Sequence, residues 1–234
     1  MRRILLLFIP LLLLAGVLIP SEASANTSDV YVLTVDGAIT PVVADYIDRG
    51  ITLAEENGAI CCIIELNTPG GLASSTQVIV ERIIDAEVPV VVYVLPGGWA
   101  ASAGTFITMA SHVAVMGPGS AIGAATPVSS SGGELPDTEA QKALNFFSTY
   151  MQTLAENRGR NVEWAELAVT ESASATAEEA LELNIIDFTA QDLGSLIQQL
   201  DGMEVTLDNG LVVTLHTEGG NIHQVGMSGV ERFL

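Results

Sequence analysis

The sequence predicts an α/β domain with mainly parallel strands, and three observations carry that expectation. Short apolar runs rich in valine and isoleucine recur at Val30–Val35, Ile60–Leu66, Val88–Leu95 and Val113–Met116. These runs are near-continuous, as buried strands are. Segments with helical spacing separate them, and strand alternating with helix is the pattern of a parallel-sheet domain.

The first residues read as a targeting segment. Arg2 and Arg3 precede an apolar stretch, Ile4–Ile19, and Ala23-Ser24-Ala25 supplies the small residues a signal peptidase reads. Cleavage after Ala25 is expected, since the stretch falls short of the ~20 residues that span a bilayer. A retained membrane anchor is the alternative. Under either reading the chain from Asn26 onward is exported.

The exported part has the size of one large domain. Val30–Val35 is followed by an Asp36-Gly37 turn and by a helix from Pro41 to Asn57, started by the proline and stopped by Asn57-Gly58. Ile60–Leu66 leads through Asn67-Thr68-Pro69-Gly70-Gly71 into a helix over Leu72–Ala86. Val88–Leu95 leads through small residues into a helix ending near Ser111, and a short strand follows at Val113–Met116. Gly117–Gly133 reads as a long loop, and a loop of that length in a compact domain is functional or mobile.

Another helix is expected from Asp137 or Thr138 to Arg158, with Thr138 and Gln141 at capping-box spacing. Shorter helices follow at Val162–Thr170, Thr176–Leu183 and Asp192–Leu200, with a short strand at Ile185–Asp187. Glu204–Leu207 and Leu211–Leu215 alternate around Asp208-Asn209-Gly210, a β-hairpin signal. His216–Leu234 is weakly patterned and is expected to be a linker or tail.

Charge narrows the function. The chain carries 28 acidic against 8 basic residues, a net charge of −20. A nucleic-acid partner is not expected, because phosphates need a basic surface, and charge-driven binding to anionic lipid is disfavoured too. No G-x-G-x-x-G fingerprint and no Gly-Lys-Ser/Thr P-loop occurs. Cys61 and Cys62 are adjacent and read as two small core residues on opposite faces of a strand. No other cysteine exists to complete a metal site with them. No metal and no cofactor is expected.

Three features carry the chemistry. Pro69-Gly70-Gly71 joins a strand to a helix, where glycines leave backbone N–H groups free to face an anion. Ser102 sits among Ala100, Ala101, Ala103 and Gly104 at the next strand-to-helix corner, with room beside it for a substrate. Lys142 is the sole lysine of the chain. It falls in the first turns of a helix, where burial and the positive helix end would both disfavour the charged ammonium. A neutral amine there can accept a serine proton. Each feature has a plainer reading, as a turn, a packed helix start or a surface charge. His112, His216 and His223 lie in no comparable setting, which makes a Ser-His-Asp triad the weaker option.

In combination, Asn67-Thr68-Pro69-Gly70-Gly71, Gly98-Trp99-Ala100-Ala101-Ser102-Ala103-Gly104-Thr105-Phe106 and Gly119-Ser120-Ala121-Ile122-Gly123-Ala124-Ala125-Thr126-Pro127 resemble the serine protease domain of NfeD-like membrane proteins. That group is similar to signal peptide peptidase A and, more distantly, to the Clp protease and crotonase superfamily. Thr176–Ile186 resembles its closing helix and strand. The resemblance implies a ClpP/crotonase-like fold of stacked β-β-α units over residues 26–200, leaving 201–217 as a hairpin extension and 218–234 as linker or tail. It implies Ser102 as nucleophile, Lys142 as general base, and an oxyanion hole from Gly70 or Gly71 together with Ala103. The Clp branch places its histidine near Thr126-Pro127, and this chain has none there.

The activity so implied is an exported serine endopeptidase that cleaves apolar, membrane-proximal peptide segments. A stomatin-like protein is a possible partner, a homo-oligomer the expected assembly, and membrane association the expected setting. A non-catalytic scaffold of the same fold and a crotonase-like acyl-thioester enzyme that binds coenzyme A are the alternatives.

Overall fold

The computed structural model describes residues 29–128, 137–229 and 231. The targeting segment and residues 129–133 of the Gly117–Gly133 loop lie outside them. The main sheet has six strands, all parallel: β1 (Val30–Asp36), β2 (Cys61–Asn67), β3 (Val90–Val94), β5 (Val113–Met116), β8 (Phe188–Thr189) and β11 (Ile222–Val225), in the order β11-β1-β2-β3-β5-β8. Both faces are covered, which is why the central strands read as unbroken apolar runs. Along β2, Cys62, Ile64 and Leu66 pack under one layer while Cys61 and Ile63 pack under the other. The two cysteines are thus buried, free and on opposite faces, and burial pushes the Cys61 thiol up to about 12.

Helices α1 (Pro41–Glu56), α2 (Ala73–Ile84), α3 (Ala103–Ala110), α4 (Asp137–Asn157) and α5 (Val162–Thr170) cover the first face. Helix α7 (Leu193–Leu200) and the antiparallel hairpin β9 (Glu204–Thr206)–β10 (Val212–Thr214) cover the second. Caps set several of the helix starts. Thr40 Oγ1 accepts from Val43 N–H ahead of Pro41, and Thr176 and Glu179 form a capping box on α6 (Ala177–Glu182).

Beyond the carboxyl ends of the strands lies a second tier of short pairings. Ile39 bridges Gly71, Thr68 bridges Ala100, and β4 (Trp99–Ala100), β6 (Ala121–Gly123) and β7 (Ser174–Thr176) form a small sheet. Each unit is therefore a long strand, a short strand and a helix, as in β3–β4–α3 and β5–β6–α4. Crevices outside the carboxyl ends of parallel strands are where open α/β sheets place ligands.

Four expectations need correction. The segment read as a tail carries β11, which closes the β1 edge. Its side chains are mostly exposed, so it has no apolar pattern to find; its parallel ladder to β1 holds it, aided by Tyr46 Oη donating to Val225 O and Arg49 Nη2 donating to Gly226 O. The long loop contains β6, whose three residues are too short and too small to show a period. Ile185 and Ile186 are buried in a turn, and the strand follows at Phe188. Gln141 makes no capping box: α4 already begins at Asp137, and Gln141 Nε2 donates to Asn145 Oδ1.

Helix α3 is buried along its whole length, so its last carbonyls need internal donors. Arg160 provides them: its Nη1 donates to Thr108 O, Met109 O and Ser111 O, and its Nη2 to Asp187 Oδ2 at 2.8 Å. Next to this cluster, His112 Nδ1 accepts from Val90 N–H at 3.1 Å, which leaves the ring proton on Nε2. Burial, assisted by the Arg158 charge, pushes His112 down to about 4 against the opposing pull of Asp208. Its 3.4 Å approach to Asp208 is therefore that of a neutral ring, not an ion pair.

A depressed folded-state value means the unfolded chain binds the proton first as pH falls. The neutral ring's stabilisation is complete above about pH 6.5 and is lost on acidification toward pH 4. Urea unfolding between pH 7 and 4.5 should show stability falling with pH, within a ceiling of about 3 kcal/mol. The slope should flatten in His112→Asn.

Candidate active site

Ser102 forms the corner between β4 and α3, at φ 50° and ψ −109°. Few residues other than glycine occupy that region, and doing so costs about 1–3 kcal/mol. The corner is held by Ser102 N–H donating to Ala124 O at 2.7 Å and Thr105 N–H donating to Ser102 O at 3.0 Å. The Ser102 side chain makes no capping bond to its own helix.

Gly70 and Gly71 stand opposite. A Cβ on Gly70 would lie 2.8 Å from Ser102 Cβ and 3.3 Å from its Oγ, and Gly70 has φ +120°. A Cβ on Gly71 would lie 2.1 Å from Ile39 O. The pair of glycines is thus required by contact with the serine on one side and the neighbouring unit on the other. Gly70 N–H is already used, donating to Thr68 Oγ1 at 3.1 Å. Gly71 N–H and Ala103 N–H donate to no group among the described residues. Ala103 is the first residue of α3, where N–H groups are left over by helix geometry.

A cavity of about 420 Å³ opens at this point. Ser102, Ala103 and Gly71 mark its polar end, and Leu72, Thr76, Phe106, Ala125, Val128 and Phe147 supply its apolar walls. Phe106 and Phe147 meet edge to face, with centroids 5.7 Å apart. Its size and apolar lining are those of a ligand pocket.

Lys142 is placed differently from expectation. It stands exposed on the second turn of α4, not buried, and no hydrogen bond or ion pair holds it among the described residues. It lies five residues before Phe147, on the stripe of Phe146, beside the face that walls the cavity. The structure therefore brings together Ser102, Ala103, Gly70 and Gly71, and puts Lys142 on the helix that closes their cavity without bringing it into the lining. Among the described residues no group of three or more His, Cys, Asp or Glu could hold a metal ion. His112 is at the far end of α3, and His223 stacks on Tyr31 in the edge strand.

The family follows from comparison of this domain with known proteins. Residues 29–225 match the model described as NfeD1b, N-terminal domain. The chain belongs to that family. It is 41% identical over 220 residues to the membrane-bound protease PH1510 of Pyrococcus horikoshii, covering 92% of this chain and 48% of that protein. The chain thus spans about half the length of the curated relatives it matches.

Two similar solved structures are variants of one protease. One is a lysine-to-alanine variant of the 1510-N membrane-bound stomatin-specific protease in complex with a substrate peptide, with a TM-score of 0.80 and 39% identity, covering 87% of this chain and 94% of that one. The other is a serine-to-alanine variant of the same protease, with a TM-score of 0.78 and 40% identity, covering 85% and 98%. The fold of this NfeD1b-type domain is accordingly the ClpP-like fold.

Sequence reasoning missed the part played by Ala124 and by the wall from Ala125 to Val128. A run of small residues has no periodicity to mark it as a wall. Phe147 has no mark in the sequence beyond its place in the helical segment Asp137–Arg158.

Gly70→Ala should lower stability by about 1–3 kcal/mol in urea unfolding, through positive φ and contact with Ser102 together. Gly37→Ala, also at positive φ but with nothing within 4 Å of its Cβ, should fall at the low end of that range. Equal losses would show that contact with Ser102 contributes nothing.

Proposed function

We propose that this domain is an exported, membrane-associated serine endopeptidase in which Ser102 is the nucleophile and Lys142 the general base. The observation that carries the proposal is the strained serine at the polar end of an apolar cavity, flanked by the unused N–H groups of Gly71 and Ala103. Similarity to a protease solved as serine and lysine variants supports it.

In this reading Lys142 takes the Ser102 proton as Oγ attacks the peptide carbonyl. Gly71 and Ala103 donate to the oxyanion, an interaction worth about 3 kcal/mol per donor in transition-state stabilisation. Gly70 serves by making room for Ser102, since its own N–H is committed to Thr68. Lys142 then protonates the leaving amine, and water, deprotonated by the lysine, hydrolyses the acyl ester. Lys142 is exposed in the structure, so substrate binding must bring it within hydrogen-bond reach of Ser102. Such tightening is common between free and occupied sites.

The apolar cavity favours apolar peptide segments. The solved relative is named as stomatin-specific, and a stomatin-like protein is the partner proposed here. Exported, membrane-associated placement rests on residues 1–25 and on the relatives' names. No described helix is long and apolar enough to cross a membrane. A homo-oligomer is the proposed assembly, measurable by light scattering.

Ser102→Ala and Lys142→Ala should each lower cleavage of an apolar peptide library by roughly 10³-fold or more, with circular dichroism unchanged. Wild-type cleavage by purified Ser102→Ala would sink the assignment. Consistent failure of the folded wild-type chain to cleave would favour the scaffold.

A further inference from the structure

The wall that carries Ala124 is pinned at two points outside its own strand. Ala125 N–H donates to Ala168 O at 2.8 Å, and the Thr126 and Ser172 hydroxyls share a hydrogen bond of 2.8 Å. The first anchor is backbone, available to any sequence. The second depends on two particular side chains.

Ser172 is an unexpected choice at its position. Helix α5 ends at Thr170 with Glu171 as its cap, and Ser172 follows at φ 56°. That left-handed position is the one glycine or asparagine ordinarily fills, because neither carries the full cost of a Cβ there. A serine there sacrifices stability that glycine would restore, so its hydroxyl should have a use. Its described partner is Thr126. From Thr126 the chain runs back two residues to Ala124, whose carbonyl accepts the Ser102 N–H, and forward to Pro127 and Val128, which line the cavity.

We propose that Ser172 is a positioning residue: through its hydroxyl bond to Thr126 it fixes the Ala124–Val128 wall, and thereby the backbone of Ser102 and the width of the cavity beside it. The catalytic part of this inference rests on Ser102 being the nucleophile; the structural part does not. It also gives a role to the segment from Ala124 to Val128. Here two hydroxyls join the wall to the α5–β7 connection.

Ser172→Gly separates positioning from folding. Glycine suits φ 56°, so the thermal midpoint should stay level or rise. Amide hydrogen exchange at Ser102 should nonetheless quicken by roughly tenfold, since its acceptor carbonyl is less well held. Exchange at Thr68 and Ala101, whose N–H groups bond within the Thr68–Ala100 bridge, should not change. Where the wild-type chain cleaves peptide, kcat/KM should fall by roughly fivefold to tenfold, the weight of one neutral hydrogen bond, mainly in kcat. Thr126→Val should reproduce the exchange and kinetic effects, and Thr126→Ser, which keeps the hydroxyl, should restore wild-type behaviour.

Wild-type exchange at Ser102 in both Ser172→Gly and Thr126→Val would overturn the inference, whatever the activity. A wild-type chain that does not cleave, with exchange changed as expected, would instead remove the protease assignment and leave the positioning role standing.

Discussion

The corner at Ser102 is the constraint on which the site depends. Its backbone angles are unfavourable for any residue with a Cβ. They persist because everything around the corner is fixed: a wholly buried helix on one side, a glycine without a Cβ opposite, and the Ala124 carbonyl on its N–H. Local strain of this kind survives only where its surroundings over-determine it. Burial of α3 in turn depends on Arg160, because a helix end in the interior would otherwise leave carbonyls unpaired. A guanidinium at the far end of the helix thus helps hold a serine at the near end.

The second tier of short strands explains why parts from different units meet. Gly70 and Gly71 extend the β2 unit, Ser102 the β3 unit and Ala124 the β5 unit. Neighbouring paired strands lie about 4.8 Å apart. Pairing Thr68 with Ala100, and Trp99 with Ala121, therefore sets the glycine turn, the serine corner and the wall side by side in that order. The register of these two short pairings brings the three parts together, and side-chain contacts then hold them.

Most of the main sheet was legible in the sequence because both of its faces are buried. The runs at β1, β2, β3 and β5 are apolar for one physical reason and could be read by that reason. The second tier was not legible. Its strands, Trp99–Ala100, Ala121–Gly123 and Ser174–Thr176, are two or three residues long, too short to show an amphipathic period. Edge strand β11 was hidden for the opposite reason: its exposed side chains follow the composition of a loop, and its docking is by backbone pairing to β1 with help from Tyr46 and Arg49, far away in the chain. At the site, the glycine pair and Ser102 could be singled out from residue type. Which glycine has a free N–H could not, since that depends on a hydroxyl of Thr68 folding back on Gly70.

Backbone strain gives an independent view of where function lies. Three described residues other than glycine have positive φ: Ser102, Ser172 and Asn184. Asn184 is the kind of residue that tolerates the left-handed region, and its amide is occupied in donating to Gly159 O. It lies at the turn after α6, away from the cavity lining, and needs no functional explanation. The two serines have no such tolerance. One forms the corner at the cavity, and the other reaches, through Thr126, the wall that accepts the first one's N–H. Strain that ordinary residue choice would have removed is thus retained at both ends of one short chain of contacts, Ser102–Ala124–Thr126–Ser172. Selection for stability alone would place glycine at either end, so the two serines together mark this chain of contacts as the part of the fold held for something other than folding.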